Sequence, residues 1–348
     1  MPEKEPNINR KDLKSEGKLT PDEAKAMVSK FKKEHEGLLP EYFSLPGEEN
    51  EEKEREYPEE LLDYYQLKEQ LKPIEEKLRD DEIRKAAIDD IRINFWPREL
   101  DVFSISHVFV RYSALLYYPR FDEIKKDYLK DIDVIEKKLE NEVINLIISR
   151  ILFDIFDIIE GKTQQWKIAL GFYDSFDNYA ALIRYFKFHA IKEEYKKDIN
   201  QIEKGLRNEK VRKIWIKRIY TRVREGQQEE VNVSDSKPAS DAFLGYISLL
   251  SYPEFYEIKS QFLKEIEKIE KGLKNETIRR NIIKEIFYEI QAFKLNAVDA
   301  FLGYTTLLSY LNHLYKVGQQ KLAEIESQKA MHPELRKNLP PIPEEKMF

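Results

Sequence analysis

One segment recurs along the chain at a fixed spacing, and this restricts the available folds more than any other feature. Tyr246 to Leu273 reads YISLLSYPEFYEIKSQFLKEIEKIEKGL, and matching segments begin at Tyr179 and Tyr112, each 67 residues earlier. Self-similarity at a fixed period marks a repeat architecture. Phe255, Ile258, Phe262, Ile266, Ile269 and Leu273 fall three or four residues apart, which places them on one helical face. Their counterparts are Phe188, Ile191, Tyr195, Ile199, Ile202 and Leu206, then Phe121, Ile124, Tyr128, Ile132, Ile135 and Leu139. The stripe persists while the residues between it vary. The spacing predicts one long helix, B, with Glu203 beside the stripe as a solvated residue.

A short apolar segment precedes each helix B: Tyr112, Leu115, Leu116 and Tyr118, then Tyr179, Leu182, Ile183 and Tyr185, then Tyr246, Leu249, Leu250 and Tyr252. It predicts a short helix A. Pro119 and Pro253 follow two of these segments and suit the first turn of helix B. After helix B, Asn141, Asn208 and Asn275 are each followed by Glu, a pattern that starts a third helix, C. Gly205 and Gly272 stand where a glycine can close helix B.

Two partial copies flank these three. Ile74 to Arg84, IEEKLRDDEIR, parallels Ile202 to Arg212, IEKGLRNEKVR. Asp299 to Tyr304, DAFLGY, repeats Asp241 to Tyr246 after a shorter interval of 58 residues. Irregular terminal copies are expected where they cap a stack. The predicted fold class is all-α: a tandem helical repeat array of units of about 67 residues, each with one short and two long helices, forming an elongated bundle or solenoid. The organisation read from the chain is a flexible segment at 1–56, a degenerate first repeat at 57–99 and a second repeat at 100–166. A third, basic repeat follows at 167–238, a fourth at 239–298, a truncated capping repeat at 299–330 and a Pro-rich disordered tail at 331–348.

Within the first segment, Thr20-Pro21-Asp22-Glu23 is a capping box that starts a short helix through Phe31. Glu48 to Glu60 is an acidic linker, and Trp96-Pro97 ends the first repeat. Gly226 to Pro238 reads as an exposed loop. Leu339 to Pro343, LPPIP, favours an extended, polyproline-like conformation. In the second repeat, apolar residues from Val143 to Phe156 cover most of helix C, so it is read as buried, with a homodimer interface as the competing reading.

The chain has no cysteine, which excludes disulfides, thiol catalysis and thiolate metal sites. Its start is polar, unlike a signal peptide, and no apolar run is long and uninterrupted enough to cross a bilayer. The expected setting is cytoplasmic, with no membrane association. Charged residues make up 36% of the chain, at a formal net charge of −6. The excess of Lys, Glu, Ile and Tyr resembles thermophilic usage, and an AT-rich genome gives the same bias.

Against that acidic balance, one helix concentrates cations. In helix C of the third repeat, Lys210, Lys213, Lys217 and Arg224 follow one stripe, with Arg218 nearby, away from apolar Val211, Trp215, Ile219 and Val223. These five basic residues are the candidate site for nucleic acid or an acidic protein segment. The bland alternative is a solvated face paired with Glu193, Glu194 and Asp198.

The remaining chemistry is sparse. Five histidines are scattered without metal-ligand spacing, and the sequence holds no phosphate-binding loop or nucleophile elbow. The positions predicted to face inward are Ile, Leu and Phe, where a di-metal bundle needs carboxylates. No catalytic residue, metal or cofactor is expected. Phe301 to Tyr310, FLGYTTLLSY, resembles a helical stretch in the N-terminal region of archaeal primase large subunits. The resemblance is confined to that short stretch, and the iron–sulfur cysteines of the family have no counterpart. It implies a nucleic-acid-associated accessory factor without an iron–sulfur domain, acting through the basic stripe. The leading expectation is a non-enzymatic helical-repeat scaffold or adaptor for protein partners.

Overall fold

The computed structural model describes residues 57–94, 102–162, 176–185, 187–228 and 237–331. The capping box at Thr20, Trp96-Pro97, the LPPIP segment, most of the acidic linker and most of the loop after Gly226 lie outside these residues. Among the described residues, all regular structure is helical and no strand occurs. We number the helices α1 (Glu59–Leu78), α2 (Asp81–Asn94), α3 (Val102–Leu116), α4 (Phe121–Asp127), α5 (Leu129–Lys138), α6 (Ile144–Ile159) and α7 (residues 176–184). There follow α8 (Phe188–Glu194), α9 (Lys196–Leu206), α10 (Glu209–Gly226), α11 (Pro238–Leu250), α12 (Phe255–Gln261), α13 (Leu263–Leu273), α14 (Glu276–Gln291) and α15 (Phe293–Met331). The A segments are α3, α7, α11 and the first part of α15, and the C helices are α2, α6, α10 and α14.

The apolar stripes are core. Ile124, Ile132 and Ile135, then Ile199 and Ile202, then Ile258, Ile266 and Ile269 are at most 1% exposed. Helix B, however, is not one helix. It breaks at Tyr128 (φ −119°, ψ 31°), Tyr195 (−105°, 32°) and Phe262 (−124°, 39°). No proline or glycine stands at these positions, so no local breaker announces the kink. Both halves of the stripe are buried on either side of the bend, at Ile124 and Ile132, Ile191 and Ile199, and Ile258 and Ile266.

Other boundaries divide in the same way. Asn208 and Asn275 are N-caps as expected, accepting from Lys210 N at 3.0 Å and Thr277 N at 2.8 Å. At Asn141 the chain does not break: a π-helical turn, Leu139–Val143, carries α5 into α6. Pro119 and Pro253 lie in the turn before helix B, closed by Phe121 N to Tyr118 O at 2.9 Å and Phe255 N to Tyr252 O at 3.0 Å. Gly205 and Gly272 sit inside α9 and α13 rather than closing them; the described glycine with positive φ is Gly161, at 68°. Their role is close approach. A Cβ on Gly205 would stand 2.3 Å from Ile155 Cγ2, and one on Gly272 would stand 2.2 Å from Val223 Cγ1. On α6, Ile147, Ile148, Ile151 and Ile155 are buried, but Phe153 and Phe156 are 58% and 47% exposed, so this helix keeps an open side.

The chain divides into two compact units, Met1–Leu62 with Tyr315–Phe348, and Asp63–Leu314. In the first, Lys321 Nζ lies 2.8 Å from Glu60 Oε1. In the second, the A segments contact one another in a circuit. Ser113 Oγ on α3 donates to Ala181 O on α7, and Ser248 Oγ on α11 donates to Asp177 Oδ1 on α7. Phe243 on α11 packs edge-on against Tyr310 on α15, and Arg111 on α3 pairs with Asp299 on α15. Three ion pairs join further helices of this unit. Arg84 on α2 faces Glu123 on α4, Arg212 on α10 binds Glu257 on α12, and Arg279 on α14 binds Asp63 on α1.

Candidate functional site: a basic helix face and a charged cavity

The contacts that hold A to B are built from residues at counterpart positions. Tyr112 Oη donates to Glu136 at 3.0 Å, Tyr179 to Glu203 at 3.2 Å and Tyr246 to Glu270 at 2.9 Å. Each carboxylate also takes a lysine, from Lys125 at 3.0 Å, Lys192 at 2.6 Å and Lys259 at 2.6 Å. Glu75, at the counterpart position in α1, acts electrostatically on Tyr304. Burial, and then the neighbouring carboxylate, push all four phenols upward, so they stay protonated donors. Glu203 is therefore an acceptor for a buried hydroxyl and not a merely solvated residue. Stripe spacing shows only that Glu203 lies beside the core; its partner stands 24 residues away.

The structure separates the predicted basic residues. Lys210, Lys213, Lys217 and Arg224 are exposed along α10, whereas Arg218 is half-buried and lines a cavity. Among the described residues, the four exposed cations have no ion pair with Glu193, Glu194 or Asp198; Glu193 lies 3.8 Å from Lys196 instead. The apolar side of α10 is fully used, with Val211, Trp215, Ile219 and Val223 at most 5% exposed.

The cavity, of about 340 Å³, was not legible in the sequence. Its walls come from α3, α7, α10, α11, α14 and α15, and the residues around it are strongly ionic. Asp299 receives Arg111 at 2.6 Å and Lys237 at 2.8 Å, and Lys237 also reaches Glu289 at 2.7 Å. Burial pushes the Asp299 carboxyl up, but the two cations outweigh it and hold it below its usual range. Asp241 lies deep in the protein, yet its side chain faces the cavity and stays 39% exposed. Burial raises its pKa against the pull of Arg222, Arg218, Lys237 and His107.

Glu285 is 1% exposed and caps the first turn of α11, accepting from Ala239 N at 3.2 Å, Ser240 N at 2.8 Å and Ser240 Oγ at 2.6 Å. Burial, only partly offset by these donors, pushes its pKa up to about 7. Among the described residues, no group of three or more His, Asp or Glu side chains is placed to hold a metal. No described helix is long and apolar enough to cross a membrane. No protein-family model, curated protein or solved structure matches the chain.

Proposed function

We propose that the chain is a non-enzymatic helical-repeat scaffold for protein partners, with four A–B–C units closed into a ring rather than extended as a solenoid. The observation that carries this reading is the Tyr–Glu contact. It recurs in three units at a 67-residue offset, and Arg111 on α3 pairs with Asp299 on α15, joining the first A segment to the last. On this reading, the truncated last copy supplies helix A to the headless first copy. The shorter 58-residue interval arises at the C-to-A connection, where α14 ends at Gln291 and α15 begins at Phe293. The ionic cavity residues support a holding role, because Asp299, Glu289, Glu285 and Asp177 are each engaged with a neighbouring helix.

The test is reconstitution. A partner captured on the tagged chain is purified separately and mixed with it, and the complex is measured by light scattering. A stoichiometric complex is the expected result. A turnover reaction that disappears in Asp241→Asn or Glu285→Gln while folding is retained would replace the scaffold with an enzyme.

A further inference from the structure

We infer that the outer faces of α10 and α14 form a track for the sugar–phosphate backbone of single-stranded nucleic acid. This inference stands on the surface itself and does not require the scaffold reading. After Glu209, the exposed positions of α10 through Arg224 are Lys210, Lys213, Lys217, Thr221 and Arg224. Those of α14 after Glu276 are Arg280, Lys284, Tyr288 and Gln291. Neither row contains an acid, in a protein whose formal net charge is −6. Elsewhere the exposed faces mix signs: α13 presents Lys264, Glu265, Glu267, Lys268 and Lys271. The two acids that begin the helices, Glu209 and Glu276, sit at the positive helix ends, where carboxylates are favoured.

The two rows meet. Asn281 Nδ2 donates to Gly226 O and to Gln228 O, both at 2.9 Å, which ties the start of α14 to the end of α10. Arg280 and Arg224 are exposed on either side of that junction. At 1.5 Å per residue, Lys210 to Arg224 covers about 21 Å and Arg280 to Tyr288 about 12 Å, enough to meet several successive phosphates. Among the described residues, none of the six cations makes an ion pair, so a phosphate would not have to displace a carboxylate.

Three partner chemistries fit cations, and the surface separates them. A membrane surface calls for exposed apolar residues beside the basic ones, but the apolar residues of α10 are buried or, at Ile214 and Tyr220, partly buried against the core. An acidic peptide would use the cations and leave Tyr288 idle. Tyr288 continues the Arg280–Lys284 stripe and is 39% exposed, as a stacking platform for an unpaired base should be. A duplex hides its bases and would gain nothing from that ring.

The experiment is fluorescence anisotropy of the full chain with a labelled 30-nucleotide oligo-dT, the matching duplex and polyglutamate. Oligo-dT should bind most tightly. Four to six phosphate contacts predict a log–log salt slope of about −3 to −4, from roughly 0.7 per contact on a single strand. The triple variant Lys210→Glu, Lys213→Glu, Lys217→Glu should lose at least tenfold in affinity with an unchanged melting temperature. Arg280→Glu with Lys284→Glu provides a second variant on the other helix. Tyr288→Ala should weaken oligo-dT and leave the duplex unaffected. Absence of oligo-dT binding at 20 mM salt would overturn the inference. So would polyglutamate or duplex binding as tightly as oligo-dT, or binding indifferent to both sets of charge reversals.

Discussion

Adding one methyl group at Gly272 tests how closely α13 approaches α10. An ideal Cβ there would lie 2.2 Å from Val223 Cγ1, 3.3 Å from Gln227 Nε2 and 3.7 Å from Val223 Cβ. Carbon atoms in favourable contact stand about 3.5–4.0 Å apart, so one of them must move by more than an ångström. Val223 has little freedom to comply. It is 1% exposed, and a β-branched side chain in a helix keeps one strongly preferred rotamer. Overpacking of this kind costs about 1–3 kcal/mol, while replacing a helical glycine by alanine returns about 0.5–1 kcal/mol. Gly272→Ala should therefore destabilise by about 1–2 kcal/mol in urea unfolding followed by circular dichroism. Val223→Ala alone should cost about 2 kcal/mol from lost burial. In the double variant, the new methyl enters the space that Val223 vacates and should add no further cost. The interaction energy of that cycle should then be favourable by at least about 1 kcal/mol. A neutral Gly272→Ala, or strictly additive losses, would show that the two helices are not in this close contact.

Glu203→Ala should cost about 1–3 kcal/mol, because it strands the buried Tyr179 hydroxyl, and Ile202→Ala about 2–5 kcal/mol; denaturant melts that leave Glu203→Ala within 0.5 kcal/mol of wild type would remove the acceptor role. Tyr304→Phe and Tyr246→Phe should each lose about 1 kcal/mol, and a silent Tyr304→Phe beside a costly Tyr246→Phe would argue against a ring completed by the chain ends. For Glu285, the folded pKa of about 7 lies above the ordinary carboxylate value of 4.5. Its contribution is thus fully present below the unfolded pKa and is lost as pH rises through about 7. Melts of wild type and Glu285→Gln from pH 5 to 8 should show the variant gaining relative stability as pH rises; parallel curves would mean that Glu285 does not titrate in this window.

The amino-acid sequence alone determined the helices and their inner faces. A three-and-four spacing fixes which side of a helix is apolar, and burial of Ile132, Ile199 and Ile266 follows from it. The exposed cations of α10 were legible for the same reason, because that stripe lies opposite Val211, Trp215, Ile219 and Val223. Asn208 and Asn275 were legible because capping is a local interaction, completed within two residues. What covers each apolar face was decided only in three dimensions. Periodicity gives an orientation about the helix axis and carries no information on the neighbour. Arg111 meets Asp299 188 residues away, and Arg279 meets Asp63 216 residues away. Such partners depend on how the A segments close, and so do the cavity and the turning of Arg218 away from its exposed neighbours into it. The kinks at Tyr128, Tyr195 and Phe262 belong to the same class: no proline or glycine stands there to mark them locally, and the apolar spacing runs through them unchanged.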